Sequence, residues 1–136
     1  MALLTGDSLD LGALVAEVVG PDRGAVATFL GLVRDHHEGR GVVRLEYSAY
    51  PEMAEAEATA ILGEVAGRWP VQVAARHRTG MLEVGAAAVA VAVAGAHRGE
   101  AFEACRYVIE ELKRRVPIWK REYYTDGSVG WVEPTS

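Results

Sequence analysis

The sequence contains no asparagine and a single cysteine, Cys105. Without asparagine there is no acceptor for N-glycosylation, and one thiol cannot form an internal disulfide bond. The longest apolar run, Ala86 to Ala96, is far shorter than the roughly 20 residues that a membrane-spanning helix needs. The opening residues lack the basic and apolar segments of a secretory signal peptide. These absences predict a cytoplasmic protein that does not enter a membrane.

Positive charge is also scarce, and it is concentrated in one place. Lys and Arg number 14 against 19 Asp and Glu, which gives a formal net charge of −5. An acidic chain lacks the basic face that general nucleic-acid binding requires, so no nucleic-acid partner is expected. Yet the stretch KRRVPIWKRE, Lys113 to Glu122, contains five cations and one anion. Any binding of anions is therefore expected to be local.

The hydrophobic pattern predicts one globular domain over residues 1–136, of the α+β class. Strands and helices are mixed, and several strands follow one another closely, which favours a mainly antiparallel sheet packed with helices. The last helix is expected to bury Phe102, Cys105, Ile109 and Leu112. The predicted elements are a helix capped by Ser8, a central strand over Gly24–Arg34, a half-buried strand over Val42–Tyr50, a helix from Pro51 to Pro70, a strand in VQVAARHRTG, a buried strand over Ala87–Gly95, a helix over Gly99–Arg115, and closing strands in IWKREYY and VGWVE.

His97 and Arg98 lie where the buried strand leads into the last helix. The free N–H groups at a helix start attract anions, and the two side chains add further donors. This junction suits a phosphate or a carboxylate. An ordinary strand-to-helix turn with exposed polar residues is the alternative.

The basic stretch is divided by Pro117. Because a proline breaks a helix and makes the preceding residue extended, Lys113 falls on the last helical turn and Lys120 on the strand that follows. We expect the two amines to meet in one pocket, with Trp119 shielding it from water. Desolvation and neighbouring cations lower the pKa of a lysine, which makes it a base or a nucleophile. The alternative is a solvated basic helix end followed by an exposed strand.

Two further residues lie on the predicted central strand. Arg34 ends it, and an arginine there points either into a cleft or into water. Phe29, within the strand, has a side chain more typical of a core than of a ligand platform.

No metal site is predicted. The four histidines and the cysteine have none of the usual ligand spacings, and adjacent His36 and His37 would point in opposite directions. His77 shares a face with apolar residues, which favours a hydrogen-bonded core histidine. Cys105 is expected to be an unreactive buried thiol.

Five segments together resemble a known family. They are GAVATFLGLVRDHHEGRGV, LEYSAYPEMA, HRTGMLEVG, AHRGEAFEACRYVIEELKRRVPIWKRE and DGSVGWVE. In this order they look like the large catalytic subunit of molybdopterin synthase (MoaE), from about Gly24 to Glu133. The AHR-x-EAF-x-AC block and the PIWK-x-E motif are the most specific parts.

The resemblance implies a sulfurtransferase of molybdenum cofactor biosynthesis with a fold of the α/β-hammerhead type. Its substrate would be cyclic pyranopterin monophosphate (precursor Z), which receives two sulfurs to form the dithiolene of molybdopterin. The sulfur would arrive as a thiocarboxylate on the C-terminal Gly-Gly tail of a small ubiquitin-like subunit of the MoaD type. The family forms a homodimer with one small subunit at each end, and no cofactor is implied.

The resemblance also implies roles for individual residues. The family's pocket lysines match Lys113 and Lys120, which are the expected catalytic pair. The expected substrate-binding residues are Phe29, Arg34, His97, Arg98 and Glu122, with Glu122 in an orienting role. The division of labour between the two lysines stays open.

Three departures accompany the resemblance. His36-His37 stands where a His-Asn-like pair is expected, Arg76 stands where an apolar residue is usual, and the sequence stops soon after WVE. No catalytic candidate is lost. Two alternatives are a non-catalytic homologue that binds the sulfur-carrier tail and a small anion-binding regulatory protein.

Overall fold

Two β-sheets and three helices form the structure, a computed structural model that describes residues 2–132. Glu133, the last residue of the WVE segment, lies outside this range. In chain order the elements are β1 (Leu4–Thr5), α1 (Leu11–Ala16), β2 (Ala25–Leu32), β3 (His36–His37), β4 (Arg40–Ala49), α2 (Pro51–Arg68), β5 (Gln72–Arg78), β6 (Gly80–Glu83), β7 (Ala87–Gly95), α3 (Arg98–Arg115), β8 (Ile118–Tyr124) and β9 (Val129–Val132). The mixture and the mainly antiparallel pairing confirm the predicted α+β class.

Strand β7 is the centre of the first sheet, whose order is β1-β5-β7-β2. Its residues alternate between valine and alanine, and each side chain type occupies one face. The valines pack against α2 and α3, whereas the alanines pack against Leu14 and Val18 from the α1 region. The small alanines allow this close approach of a helix to the sheet, as the sequence predicted.

The second sheet places β4 beside β8, with β3 and β6 also on β4 and β9 on the far edge of β8. In the antiparallel pairing of β4 with β8, Tyr47 lies opposite Lys120 and Leu45 lies opposite Glu122. Directly opposite residues share a face of the sheet. The register therefore fixes which β4 side chains accompany Lys120.

Helix α3 ends at Arg115 and the chain turns into β8 across Pro117. Val116 already has extended backbone angles, φ −80° and ψ 124°. The predicted break is confirmed, and it puts Lys113 and Lys120 on different elements.

Strand β2 is at the edge of its sheet, so its prediction as a central strand was wrong. Its inner side chains pack towards α3, but no strand within residues 2–132 pairs with its other edge. Val26 and Leu30 on the outer face remain exposed, and so does Leu32, which follows a register irregularity after Gly31. A strand sequence that is apolar on both faces does not show whether the strand is covered by its own chain or by a second one.

Smaller corrections follow from local geometry. Asp10, not Ser8, caps α1 through its side chain. Phe102 is 64% exposed, so only the other three residues of its predicted face are buried. A register irregularity between Val42 and Arg44 turns Val43 outward and Val42 inward, against the predicted alternation.

Ala92→Leu is expected to lower the free energy of unfolding by about 1–3 kcal/mol, because a larger side chain overpacks the contact between β7 and α1. Ala92 is fully buried in that contact. Urea unfolding measures the effect. Ala56→Leu on exposed α2 surface is the matched control and should stay within about 0.5 kcal/mol of wild type. Equal midpoints for the two variants would contradict this packing.

Candidate functional site

A cavity of about 90 Å³ lies between the two sheets and the C-terminal half of α3. Most of its wall is aliphatic, with Gly31 and Leu32 contributed by the end of β2. Four polar side chains interrupt this lining. They are Tyr47, His77, Lys113 and Lys120.

Lysine is the rarest basic residue of the chain, and both copies line the cavity. The sequence has 12 arginines and two lysines, Lys113 and Lys120. The structure thus brings together the two predicted catalytic residues, one from the last turn of α3 and one from β8.

The arginines of the basic stretch are neutralised, while the lysines are not. Neither Lys113 nor Lys120 forms an ion pair or a side-chain hydrogen bond with any residue between 2 and 132. The stretch therefore divides into structural arginines and two available amines. The arginine pairs are Arg114 with Glu111, Arg115 with Glu57 and Glu64, and Arg121 with Glu46.

Lys120 is half-buried, and this burial lowers the pKa of its amine. The charge of Glu122 acts in the opposite direction, and the charges of Lys113 and Arg34 lower the pKa further. Lys113 is exposed, at the solvent side of the cavity. The site therefore has one half-buried amine with a lowered pKa and one amine that water can reach.

Glu122 is buried behind Lys120, at 3% exposure. Its carboxylate lies 2.8 Å from Nδ1 of His37 and accepts a hydrogen bond of 3.2 Å from the Tyr124 hydroxyl. His36, on the opposite face of β3, instead contacts Asp35. The two histidines point in opposite directions, as predicted, although they form a short strand and not a loop. The negative charge of this buried carboxylate thus opposes the lowering of the Lys120 pKa.

Arg34 and Phe29 lie at the β2 side of the cavity. Arg34 is exposed just beyond the strand, and its charge reaches Lys120. Phe29 is partly buried against the main core and lies near Gly31 in the cavity wall. Arg34 is thus near Lys120 and Phe29 is near the Gly31 wall, and neither residue lines the cavity itself.

His97 and Arg98 are at the opposite end of α3. Fifteen residues separate Arg98 from Lys113 along a continuous helix, which corresponds to about 22 Å. The Glu100 carboxylate accepts a 2.9 Å hydrogen bond from the His97 backbone N–H. Within one chain, therefore, this basic pair does not meet the lysines.

Sequence reasoning missed His77 and Tyr47 as members of the site. Their rings form an edge contact with centroids 4.9 Å apart, and both line the cavity. The predicted hydrogen bond of His77 is present, from Nδ1 to the Arg78 carbonyl at 2.8 Å. The sequence signal that could have revealed His77 was its polar ring on a strand face that is otherwise apolar. Trp119 is the reverse case, because it lies on the face of β8 opposite Lys120 and does not shield the cavity.

The described range contains neither a metal-binding cluster nor a membrane-spanning helix. Residues 2–132 contain no group of three or more metal-ligating side chains. No helix there is long and apolar enough to cross a bilayer. Cys105 is a buried free thiol whose pKa is raised by burial, which agrees with the predicted unreactive role.

His77 should make the protein less stable in mild acid. Burial lowers the pKa of its imidazole from 6.5 to about 4, so the unfolded chain binds a proton more readily than the folded one. This contribution to stability is present above pH 6.5 and is lost as the pH falls towards 4. Between pH 7 and pH 5, the wild type should lose about 2 kcal/mol more than His77→Phe in urea unfolding. His36→Phe, at an exposed histidine, should keep the wild-type dependence, and parallel curves for wild type and His77→Phe would refute a buried neutral imidazole.

Comparison with known proteins identifies the family of the chain. The family model described as MoaE protein matches residues 4–115. A molybdopterin synthase catalytic subunit from Halalkalibacterium halodurans is 45% identical over 120 residues, which cover 88% of this chain and 76% of that protein.

Solved structures show the same fold. Molybdopterin synthase from Staphylococcus aureus superposes with a TM-score of 0.92 at 33% identity, over 97% of this chain and 96% of that one. A complex of subunits 1 and 2 of molybdopterin-converting factor from Helicobacter pylori gives a TM-score of 0.80 at 21% identity, over 96% and 89%. The similarity to the Staphylococcus aureus enzyme confirms the predicted fold type.

Proposed function

The chain belongs to the MoaE family of molybdopterin synthase catalytic subunits, and we propose that it catalyses the sulfur transfer of that enzyme. Two sulfurs pass from the thiocarboxylated Gly-Gly terminus of a small ubiquitin-like subunit of the MoaD type to cyclic pyranopterin monophosphate. The product is the dithiolene of molybdopterin. The observation that carries this proposal is the pair of uncompensated lysines in a cavity between the sheets.

The cavity suits a reaction between two anions. A thiocarboxylate and a phosphorylated pterin repel each other, and cations in a partly desolvated site offset that repulsion more strongly than they would in water. Lys120, half-buried and with a lowered pKa, stabilises the oxyanion that develops when the sulfur attacks the pterin side chain, or acts as an acid or base there. Lys113, at the exposed side, positions the terminal carboxyl of the tail. The buried Glu122 orients the Lys120 amine and opposes the lowering of its pKa.

The basic residues at the start of α3 join the site only if a second copy supplies them. One chain holds them about 22 Å from Lys113 along the helix. A homodimer formed through the open edge of β2 removes this separation. The unpaired edge and the exposed Val26, Leu30 and Leu32 beside it favour this surface.

In the dimer that we propose, the two β2 strands pair antiparallel about a twofold axis over their full length. Ala25 of one copy then lies beside Leu32 of the other. Leu32 lines the cavity, and Ala25 is paired with Gly95, just before His97. The partner's strand β7 then ends about two strand spacings, or ~10 Å, from the cavity wall. In this arrangement Arg34 of one copy and His97 and Arg98 of the other converge on the substrate phosphate.

The small subunit remains the donor partner in this scheme. The Helicobacter pylori structure with this fold is a complex of two subunits. We infer the same kind of assembly here, with one sulfur-carrier subunit for each copy of the dimer. A non-catalytic homologue that only binds the carrier tail would need no cations for the pterin phosphate, whereas Arg34, His97 and Arg98 are all exposed and available.

Lys120→Ala should reduce dithiolene formation by about 100-fold or more, because it removes a cation from the developing charge. The assay combines the purified chain, the thiocarboxylated carrier and cyclic pyranopterin monophosphate, and measures product. Arg114→Ala is the matched control, since that side chain is exposed and paired with Glu111. Absence of product with the wild type would reject the proposed activity, and undiminished product with Lys120→Ala would reject the assigned role.

Mixing two inactive variants tests whether the site spans two copies. Arg98→Ala and Lys120→Ala should each be impaired, but a mixed dimer has one site in which Lys120 and the partner's Arg98 are both intact. After dissociation and random reassociation of equal amounts, activity should recover to about one quarter of wild type. A mixture of Lys113→Ala with Lys120→Ala should show no recovery, because both defects lie in the same chain's cavity. No recovery in the first mixture would exclude the shared site.

A further inference from the structure

We propose that His77 is a third catalytic group of this cavity, whose Nε2 takes a proton from the water that releases the spent carrier. The inference rests on the proposed sulfur transfer. Once the carrier's sulfur has bonded to the pterin, an acyl–sulfur bond still joins the carrier to the substrate. That bond must be hydrolysed before the next carrier can deliver its sulfur.

The position of His77 is defined by contacts on two sides. Its ring meets the edge of Tyr47 at 4.9 Å, and Tyr47 lies directly opposite Lys120 in the β4–β8 pairing. On the other side, the strand register pairs His77 with Val89 of the cavity wall. Tyr47 therefore has the imidazole on one side and the Lys120 amine on the other, and all three line one cavity.

The backbone selects the tautomer of His77. The Arg78 carbonyl can only accept a hydrogen bond, so the Nδ1 nitrogen that lies 2.8 Å from it carries the proton. In the neutral ring, Nε2 then carries the lone pair. No residue between 2 and 132 hydrogen-bonds to Nε2, and His77 is partly buried in the cavity wall.

The surroundings keep this imidazole neutral, as a general base must be. Burial, and to a smaller degree the charge of Lys113 from α3, lower the pKa of His77 to about 4, against the opposing effect of the Arg78 carbonyl. The other polar neighbours in the cavity are the Tyr47 phenol, which burial keeps protonated, and the Lys120 amine. A carrier tail bound between the lysines offsets their charge and raises the proton affinity of the ring. His77 thus becomes a stronger base when there is an acyl group to hydrolyse.

The hydrolytic step balances without any further reagent. The water oxygen forms a bond to the carrier's terminal carbonyl carbon, and its proton passes to Nε2 of His77. Lys120 stabilises the tetrahedral oxyanion. When the carbon–sulfur bond breaks, the sulfur stays on the pterin as a thiolate and the carrier leaves as a carboxylic acid, which loses the second proton of the water to solvent and becomes a carboxylate. The imidazolium then returns its proton to the thiolate or to water.

The test compares wild type with His77→Phe, which keeps a ring but has no lone pair, in the reaction with thiocarboxylated carrier and cyclic pyranopterin monophosphate. Intact-mass measurement of quenched samples follows the covalent carrier–pterin adduct. We expect His77→Phe to form the adduct at the normal rate and to hydrolyse it about 100-fold more slowly, the usual contribution of a general base. Added imidazole should restore hydrolysis in His77→Gly, whose truncated side chain leaves room for it.

His36→Phe is the matched control and should hydrolyse the adduct at the wild-type rate. The proposal is overturned if His77→Phe makes dithiolene as fast as wild type. It is also overturned if product is lost without accumulation of the adduct and without rescue by imidazole, since that pattern indicates a structural role. If His77→Phe does not fold, His77→Gln and the imidazole rescue decide between the same outcomes. Failure of the wild type itself to form dithiolene contradicts the sulfur transfer and not the role of His77.

Discussion

The end of helix α3 is the constraint on which the site depends. A helix cannot continue through Pro117, and Val116 is already extended. The chain must therefore leave the helix layer and enter the second sheet as β8. This change of direction turns a run of adjacent basic residues into two groups on different elements, and it closes a cavity where helix and sheet diverge.

Charge pairing then distinguishes the residues that hold the fold from those available for chemistry. The arginines near the break are paired with carboxylates on α2, α3 and β4. Arginine suits such pairing because its planar guanidinium binds a carboxylate with fixed geometry. A lysine amine changes its protonation state more readily, and the chain contains lysine only in the cavity. Arginine thus forms the structural ion pairs, and lysine is kept for the cavity.

Much of the fold could be predicted from local patterns. Strand β7 has the predicted bounds because its alternation of valine and alanine is uninterrupted, and α2 begins at Pro51 where a proline fits the first helical turn. The separation of Lys113 from Lys120 followed from the proline between them. These features depend on neighbours in sequence, which a pattern can record.

The errors concern neighbours in space. The pattern of β2 indicated burial on both faces, but it could not show that the chain leaves one edge of the strand unpaired. Phe102 obeys the helical period of its buried neighbours, yet it lies outside the buried face of α3, next to the fully buried Ala101. His77 had the signature of a core histidine because its hydrogen bond is real; only the fold reveals that Tyr47 and two lysines surround it. The two ends of α3 lie far apart because the helix is continuous, and this distance separates His97 and Arg98 from the lysines of the same chain.

The carboxylate of Glu100 already lies at the N-terminus of α3, where an external anion would bind. It already accepts the hydrogen bond of the His97 backbone N–H, and its negative charge lies where the helix dipole is most attractive to anions. A phosphate that approaches this point must displace that carboxylate or bind beside it. In the proposed function, recognition at this end of the helix falls to the exposed side chains of His97 and Arg98, and the substrate phosphate competes there with an internal carboxylate.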